Sequence, residues 1–279
     1  MNWKRRLGLL LVLGVLGTPG HAGETPVAIN PELTGAWVTP EGAWDGRAVL
    51  LLHGFATDMD DAGGLFRRLA GELAAHDIAS LRINFRGEGD AARTDIASTF
   101  TTRLEDTAAA HRFLLAQAHV DPKRIGVVGF SLGASTAIVT GGSHPDWFRT
   151  MCVWSSPGGD QFAMYQATAT GRTALREGEA TEDVPGWKKI TTHRAFYESF
   201  RGVDVDRSLA LYPGSFLSIR GSEDMLEQHD AAFMQIARGR PAEAVIIGGA
   251  DHIFHVFDGD HGQAARLLEL TVAWFGRTL

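Results

Sequence analysis

The fold is decided by residues 124–136, RIGVVGFSLGAST. The apolar run 124–130 predicts a buried strand, and a helix is expected from Leu132 onward. Between them, residues 129–133, GFSLG, place a serine on a sharp strand-to-helix turn, where a side chain on either glycine would clash. Alone, this pattern occurs by chance in loops. In this setting it predicts that Ser131 is a nucleophile with an exposed hydroxyl.

Short apolar runs alternate with longer amphipathic segments on both sides of this turn. The alternation predicts an α/β fold, with a mainly parallel sheet and helices on both faces. The predicted strands cover about residues 48–52, 78–85, 124–130, 150–154, 216–220 and 244–248. The predicted helices cover about residues 63–75, 103–118 and 262–276, and a further helix begins at residue 132. The residues of the second helix expected to face the core are Leu104, Ala108, Phe113 and Leu114.

The stretch from about 158 to 210, called the cap segment below, breaks this alternation. It is rich in glycine and lacks a clear buried strand, so we predict an inserted cap within a single domain, 23–279. Its many aromatic residues need burial, which disfavours a disordered linker. These aromatics either line a pocket for an aryl or acyl group or form the cap's own core: Phe162, Tyr165, Trp187, Phe196 and Tyr197.

A nucleophilic serine needs a base, and the base needs an acid that orients it. Asp224 follows the strand predicted at 216–220, and His252 follows the strand predicted at 244–248. Their order along the chain, serine, acid, histidine, is the order used on α/β sheets. Because the carboxyl ends of parallel strands share one edge of the sheet, all three side chains are expected there. We predict Asp224 as the acid and His252 as the base.

Other carboxylates are weaker candidates for the acid. Glu223 precedes Asp224 and could replace it, whereas Asp204 and Asp206 follow no predicted strand. Asp251 is interpreted as a loop residue that bonds the backbone near His252.

Histidines and aspartates crowd the chain after residue 251 and raise the question of a metal site. Their spacing matches no zinc signature, and acidic loops are usually solvated, so no functional metal is expected. The residues concerned are His252, His255, Asp258, Asp260 and His261.

The tripeptide His53-Gly54-Phe55 ends the strand predicted at 48–52. At this place the backbone N–H groups of Phe55 and Leu132 are expected to converge on the substrate's carbonyl oxygen as an oxyanion hole. His53 could be mistaken for the base. We predict a structural role instead, in which its ring bonds the loop that carries Phe55.

The N-terminus has the charge, length and order of a secretory signal peptide. Lys4, Arg5 and Arg6 precede an apolar run at 7–16, and small residues precede a cleavage position after Ala22. The run is about half of the roughly 20 residues that span a bilayer, which disfavours a membrane anchor. No cysteine follows the run, so a lipoprotein is excluded. We expect removal of residues 1–22 and export to a bacterial periplasm or exterior.

Charge and cysteine content restrict the partners. Loss of residues 1–22 removes three cations and no acids, so the net charge goes from −7 to −10. Such an acidic protein is not expected to bind nucleic acid or anionic lipid. The single cysteine, Cys152, allows no intramolecular disulfide and lies in an apolar run, where buried packing is expected. The oligomeric state is left open.

Several of these motifs occur together in α/β-hydrolase esterases, which the chain resembles from about residue 47 to its C-terminus. The likeness is greatest to bacterial cinnamoyl and feruloyl esterases and to serine-aminopeptidase-like relatives. The segments that carry it are 53–55 (HGF), 78–87 (IASLRINFRG), 129–133 (GFSLG), 221–224 (GSED) and 248–252 (GGADH).

The resemblance implies the α/β-hydrolase fold and the same roles for Ser131, Asp224, His252, Phe55 and Leu132. The family often has Asp, His and Ser at three positions that support the loop, and this chain departs from it there with Asn84, Glu88 and Ala91. The cap segment matches poorly, and in such esterases that region selects the acyl or aryl group.

We therefore expect an enzyme that hydrolyses carboxylic esters of small molecules through an acyl-serine intermediate, without a metal or organic cofactor. The same three residues would serve a thioesterase or a polyester depolymerase. An aminopeptidase would need an acidic pocket for the substrate's amino group, and the cap segment does contain Glu177, Glu179, Glu182 and Asp183. A non-catalytic binding protein is disfavoured by the intact nucleophile, base and acid.

Overall fold

A computed structural model describes residues 23–184, 187–259 and 261–279. Eight strands form its main sheet, and adjacent pairs are parallel except at one edge. In spatial order they are β1 (Gly23–Asn30), β2 (Leu33–Thr39), β4 (Ala79–Ile83), β3 (Ala48–Leu52), β6 (Ile125–Phe130), β7 (Thr150–Trp154), β10 (Ser215–Gly221) and β11 (Ala242–Ile247).

The antiparallel pairs are β1 with β2 and β2 with β4. All six strands predicted from the sequence are confirmed, with bounds that differ by at most two residues. The hairpin of β1 and β2 was not predicted, and it extends the sheet beyond β4.

Helices cover both faces of this sheet, as predicted. One face carries α1 (Leu65–Ala75) and α9 (Gly262–Thr278), and the other carries α2 (Phe100–Leu115) and α3 (Leu132–Ser143). The shorter helices are α4 (Gln161–Gln166), α5 (Ala169–Glu177), α6 (Arg194–Glu198), α7 (Val205–Leu209) and α8 (Asp230–Ile236), and a 3₁₀ turn lies at Ala62–Gly64.

The core lies on the two faces of the sheet because side chains alternate along each strand. In β3, Leu50 and Leu52 enter one apolar cluster, whereas Val49 and Leu51 enter the other. Each such fully buried side chain contributes about 1.5–3 kcal/mol relative to exposure. Cys152 on β7 is also fully buried, and burial raises the pKa of its thiol to about 12, so it is an unreactive packing residue.

Helix α2 turns a different face to the core from the one predicted. Leu104, Ala108 and Phe113 are only half-buried, whereas Arg103 and Asp106 are fully buried. The reason is ionic pairing, because Arg103 bonds Glu88 and Asp106 bonds Arg86. Of the four predicted residues only Leu114 is fully buried.

The cap segment lies between β7 and β10 and adds no strand to the main sheet. An antiparallel bridge of Asp160 with Asp204 brings its two ends together. Its strands β8 (Glu179–Asp183) and β9 (Lys189–His193) form a small sheet in the order β5-β9-β8, where β5 (Asp95–Ile96) comes from the chain before α2. Most residues of β8 and β9 are not buried, which agrees with the prediction that the segment has no buried strand.

Within the described ranges, no helix combines the length and the apolar character needed to cross a membrane. The predicted signal peptide, 1–22, lies outside the described residues.

Candidate active site

Ser131 occupies a strained turn between β6 and α3. Its φ of 53° and ψ of −117° lie in a region that non-glycine residues rarely adopt, and its N–H donates to the Trp154 carbonyl at 2.9 Å. A Cβ on Gly133 would lie 1.9 Å from the Leu52 oxygen, and one on Gly129 would lie 2.3 Å from the Gly133 oxygen. Both glycines are therefore required for the approach of strand and helix.

The structure brings Ser131, His252 and Asp224 together in one hydrogen-bonded chain. The distance from Ser131 Oγ to His252 Nε2 is 3.1 Å, and that from His252 Nδ1 to Asp224 Oδ1 is 2.8 Å. An ionised Asp224 only accepts, so Nδ1 carries the proton and the lone pair of Nε2 faces the serine hydroxyl. This is the tautomer in which a histidine can take a proton from serine.

Asp224 has a fully buried carboxylate that is bonded on both oxygens. Oδ1 also accepts the Leu226 N–H at 2.9 Å, and Oδ2 accepts Arg220 Nη1 at 3.0 Å. Burial by itself raises the pKa of Asp224, but the bond and charge of His252 outweigh it and leave the pKa below its usual value. The carboxylate therefore stays ionised at neutral pH and stabilises a protonated His252.

Arg220 is not among the site residues predicted from the sequence. A charged residue inside the apolar run 216–220 is the signal that could have identified it. It is fully buried on β10 and bonds Asp230 Oδ2 through Nε at 2.8 Å as well as Asp224. A further nitrogen donates to the Ser156 carbonyl. The guanidinium thus holds the carboxylate of Asp224 through Oδ2, while His252 bonds Oδ1.

Phe55 follows β3, and Leu132 follows Ser131, so both residues lie at the same edge of the sheet. Among residues 23–184, 187–259 and 261–279, no protein acceptor takes the N–H of either, whereas the N–H groups of Gly54, Ala56 and Ser131 are all bonded. Leu132 also begins α3, whose N-terminus favours negative charge. Both groups are therefore free to donate to a substrate oxygen.

His53 is fully buried, and its ring bonds the loop as the sequence predicts. Nδ1 donates to the Gly54 carbonyl at 2.8 Å, and Nε2 accepts the Phe85 N–H at 3.1 Å. Burial lowers the pKa of His53 to about 4, so the ring is neutral near pH 7. Because the Gly54 carbonyl shares a peptide plane with the Phe55 N–H, His53 orients that donor.

Glu88, a position where the chain departs from the family it resembles, supports the same loop. Its carboxylate is fully buried and accepts the Ala56 N–H at 2.6 Å, the Ser98 hydroxyl at 2.7 Å and Arg103 Nη1 at 2.5 Å. Burial raises the pKa of Glu88, but the Arg103 charge and these bonds outweigh it and hold the pKa below its usual value. Glu88 therefore supports the loop that carries Phe55 as a buried, ionised carboxylate.

The alternative acids do not contact His252. Glu223 is exposed, Asp204 caps α7 by accepting the Arg207 N–H, and Asp206 bonds His229. Asp251 accepts the N–H groups of Ile253 and His255, which agrees with its interpretation as a loop residue.

The histidines after residue 251 have separate partners. His255 bonds the Gly249 carbonyl and Asp258, and His261 precedes α9. Within the described part of the chain, no group of three or more His, Cys, Asp or Glu is placed to hold a metal ion. Asp260 lies outside the described residues.

The aromatic residues of the cap segment divide into two groups. Phe196 and Tyr197 are buried, and the Phe196 ring centre lies 5.2 Å from that of Phe55. Phe162 and Tyr165 are half-buried, and Trp187 is 51 % exposed. The buried pair belongs to the core of the cap segment, whereas Tyr165 contacts Phe196 and remains partly accessible.

Known proteins resemble this chain in two ways: one family model matches its sequence, and several solved structures share its fold. A sequence model of the alpha/beta hydrolase family matches residues 49–267. Est1E from Butyrivibrio proteoclasticus superposes with a TM-score of 0.67 over 91 % of this chain and 96 % of that chain, at 16 % identity. The same protein with ferulic acid bound gives a TM-score of 0.66 at 17 % identity, over 88 % and 92 %.

The esterase domain of a Rhodothermus marinus protein gives a TM-score of 0.64 at 23 % identity, over 88 % of this chain and 92 % of that chain. No curated protein sequence matches the chain. At these identities the structural likeness establishes the fold alone.

Proposed function

The chain belongs to the alpha/beta hydrolase family, and on this premise we propose that it is a serine esterase that cleaves carboxylic esters through an acyl-serine intermediate. The observation that carries the proposal is the continuous chain from Ser131 Oγ through His252 to the buried Asp224, with distances of 3.1 and 2.8 Å.

In the first half-reaction, Ser131 Oγ attacks the ester carbonyl carbon while its proton moves to His252 Nε2. The carbonyl oxygen becomes an oxyanion that accepts the N–H groups of Phe55 and Leu132, each worth about 3–4 kcal/mol in the transition state. The bond to the alcohol oxygen then breaks as Nε2 gives that oxygen its proton. The alcohol leaves, and the acyl group stays on Ser131.

In the second half-reaction, a water molecule gives a proton to His252 and attacks the acyl carbon. The bond to Ser131 Oγ breaks as His252 returns the proton to it, and the carboxylic acid is released. Asp224 stays ionised throughout and stabilises the two imidazolium stages. No step requires a cofactor.

For the substrate we propose a small ester with an aryl or acyl group that contacts the aromatic side chains beside Phe55. Tyr165 is partly accessible and lies against Phe196, which packs on Phe55. One structural neighbour, Est1E, binds ferulic acid, an aryl acid, which makes hydroxycinnamate esters the first substrates to try.

The aminopeptidase alternative receives less support from the cap segment. Its acidic side chains are exposed and already have partners: Glu177 pairs with Arg176, Glu179 with His193, Glu182 with Thr170 and Asp183 with Lys189. They do not offer a buried acidic pocket for an amino group.

The test is hydrolysis of a panel of p-nitrophenyl esters, methyl hydroxycinnamates, thioesters and aminoacyl amides by wild type and Ser131→Ala. Ser143→Ala is the matched control, since this exposed serine lies at the opposite end of α3 from Ser131. We expect ester turnover that falls by several orders of magnitude in Ser131→Ala alone. Equal rates in wild type and Ser131→Ala would overturn the proposal. Labelling by a fluorophosphonate probe separates a catalyst from a binding protein.

We also propose export, with cleavage after Ala22. The proposal rests on the basic residues 4–6, the apolar run and the small residues before position 23. N-terminal sequencing of protein recovered from the periplasm or medium of a bacterial host tests it. A mature chain beginning at Gly23 supports export, and an intact Met1 in the cytoplasm contradicts it.

A further inference from the structure

Ala56, the residue after Phe55, has a backbone conformation that must be held in place. Its φ is 57°, in the left-handed region, and its side chain is buried. For a residue with a Cβ this conformation costs roughly 1–2 kcal/mol. The orientation of the neighbouring Phe55 N–H therefore depends on the contacts that stabilise Ala56.

Both main-chain groups of Ala56 are bonded, and one of the partners comes from the cap segment. Its N–H donates to Glu88 Oε2 at 2.6 Å, and its carbonyl accepts Lys188 Nζ at 2.7 Å. Lys188 lies just before β9. Glu88 belongs to the chain after β4, so the residue beside Phe55 is held from two separate parts of the protein.

The ammonium group of Lys188 donates three hydrogen bonds, all of them to main-chain oxygens. An ammonium has three protons, and Nζ lies 2.7 Å from the Ala56 and Ala91 carbonyl oxygens and 2.8 Å from that of Arg93. Across the described ranges no carboxylate lies within ion-pair distance of Lys188. Three carbonyl dipoles and the Trp187 ring, whose centre lies 4.8 Å from Nζ, stabilise the charge and fix the side chain in one place.

Apolar contacts reinforce the same junction. Ile190 of β9 is buried in one small cluster with Ala56 and Ile96. The Phe196 ring packs against the Phe55 ring at 5.2 Å. The cap segment thus contacts both Phe55 and the residue after it.

We propose that Lys188 is a positioning residue for the oxyanion hole, tying the cap segment to the Ala56 carbonyl so that the Phe55 N–H keeps its direction toward the developing oxyanion. The inference rests on the proposed function. The bound ester has no oxyanion, which develops only as the carbonyl is attacked, so a misdirected donor lowers kcat and leaves ground-state binding nearly unchanged.

The first experiment compares Lys188→Met with Lys189→Met on the best ester of the panel. Methionine keeps an unbranched side chain without the charge, and Lys189 is an adjacent lysine whose side chain is 71 % exposed. Loss of one oxyanion donor costs about 100- to 1000-fold in kcat, and we expect about 10- to 100-fold for a misplaced one. KM should change less than about 2-fold, and Lys189→Met should match the wild type.

The second experiment separates positioning from folding. Lys188→Cys is alkylated with bromoethylamine, which restores an ammonium of nearly the original length, or with iodoacetamide, which leaves a neutral amide. The native Cys152 is fully buried with an unreactive thiol, so modification is confined to position 188. We expect kcat to recover with the ammonium and to stay low with the amide.

The outcomes separate this inference from the proposed function. Wild-type kcat in Lys188→Met, or no recovery after aminoethylation, overturns the role of Lys188 while the loss of activity in Ser131→Ala leaves the esterase proposal standing. Equal rates in wild type and Ser131→Ala overturn both.

Discussion

Arg220 and Asp224 form an ion pair of 3.0 Å in which both side chains are fully buried. The pair stands behind His252, and a second carboxylate, Asp230, bonds the same guanidinium at 2.8 Å. One cation therefore neutralises two carboxylates that have little or no access to water.

Arg220→Met should destabilise the fold more than loss of an ordinary ion pair does. It leaves Asp224 and Asp230 buried without their cation, which costs about 3–5 kcal/mol in the free energy of unfolding. Urea unfolding measures the change. Arg266→Met is the control, since Arg266 and its partner Glu269 are both exposed, and it should cost less than about 1 kcal/mol. Similar losses in both variants would contradict this account.

Asp224→Asn should lower kcat by about 10,000-fold while the protein stays folded. An amide cannot hold His252 in the required tautomer or stabilise its cation. The neighbouring Glu223→Gln, at an exposed carboxylate, should keep kcat within about 2-fold of wild type. Steady-state kinetics on one ester decides between them, and a large loss in Glu223→Gln instead would make Glu223 the acid.

Asp61 should make the stability of the fold depend on pH. Burial raises the pKa of this carboxyl to about 7, although it accepts the N–H groups of Gly54 and Ala62. The unfolded chain releases the proton near pH 4. The stability due to protonated Asp61 is therefore fully present below about pH 4 and is lost as the pH rises through 7. At about 1.4 kcal/mol per pKa unit, the loss is at most about 4 kcal/mol.

Urea unfolding of wild type and Asp61→Asn at pH 5, 6.5 and 8 measures this loss. The free energy of unfolding of wild type should fall relative to that of Asp61→Asn across the range. Asp77→Asn controls for the backbone, since Asp77 has the same φ of 59° but is exposed. Its curve should run parallel to wild type, and a parallel curve for Asp61→Asn would refute the prediction.

Gly133→Ala should disrupt the turn at Ser131. The added Cβ would lie 1.9 Å from the Leu52 oxygen, so strand and helix must move apart. We expect loss of activity and a stability loss of about 3 kcal/mol or more, as for other backbone clashes. Gly71→Ala in α1, where no atom lies within 4 Å of the new Cβ, should raise stability by about 0.5–1 kcal/mol. Thermal unfolding of both variants tests the contrast.

The elements with local signatures could be predicted from the sequence. Strands β3 and β6 are continuous, fully buried runs because helices cover both faces of the sheet there, and the serine turn has its two glycines. Asp224 and His252 could be placed together because parallel strands end at one edge.

Buried charges could not be predicted in the same way. Arg103 of α2 can point into the core only because it pairs there with Glu88, which lies 15 residues earlier in the chain. Lys188 binds a carbonyl oxygen that lies 132 residues away. Neither partner is visible in a local pattern. The β1–β2 hairpin was missed because it pairs antiparallel at an edge, outside the strand–helix alternation.

The pairing of β5 with β9 has a consequence for recombination between relatives. Asp95 and Ile96 supply a strand to the small sheet from outside the cap segment, and Lys188 bonds carbonyls at 91 and 93. A cassette cut at 158 and 210 would separate β9 from β5, one of the two strands with which it pairs. A transplantable cap must therefore include residues 88–98 as a second fragment, because β5 and the carbonyls that bind Lys188 lie there.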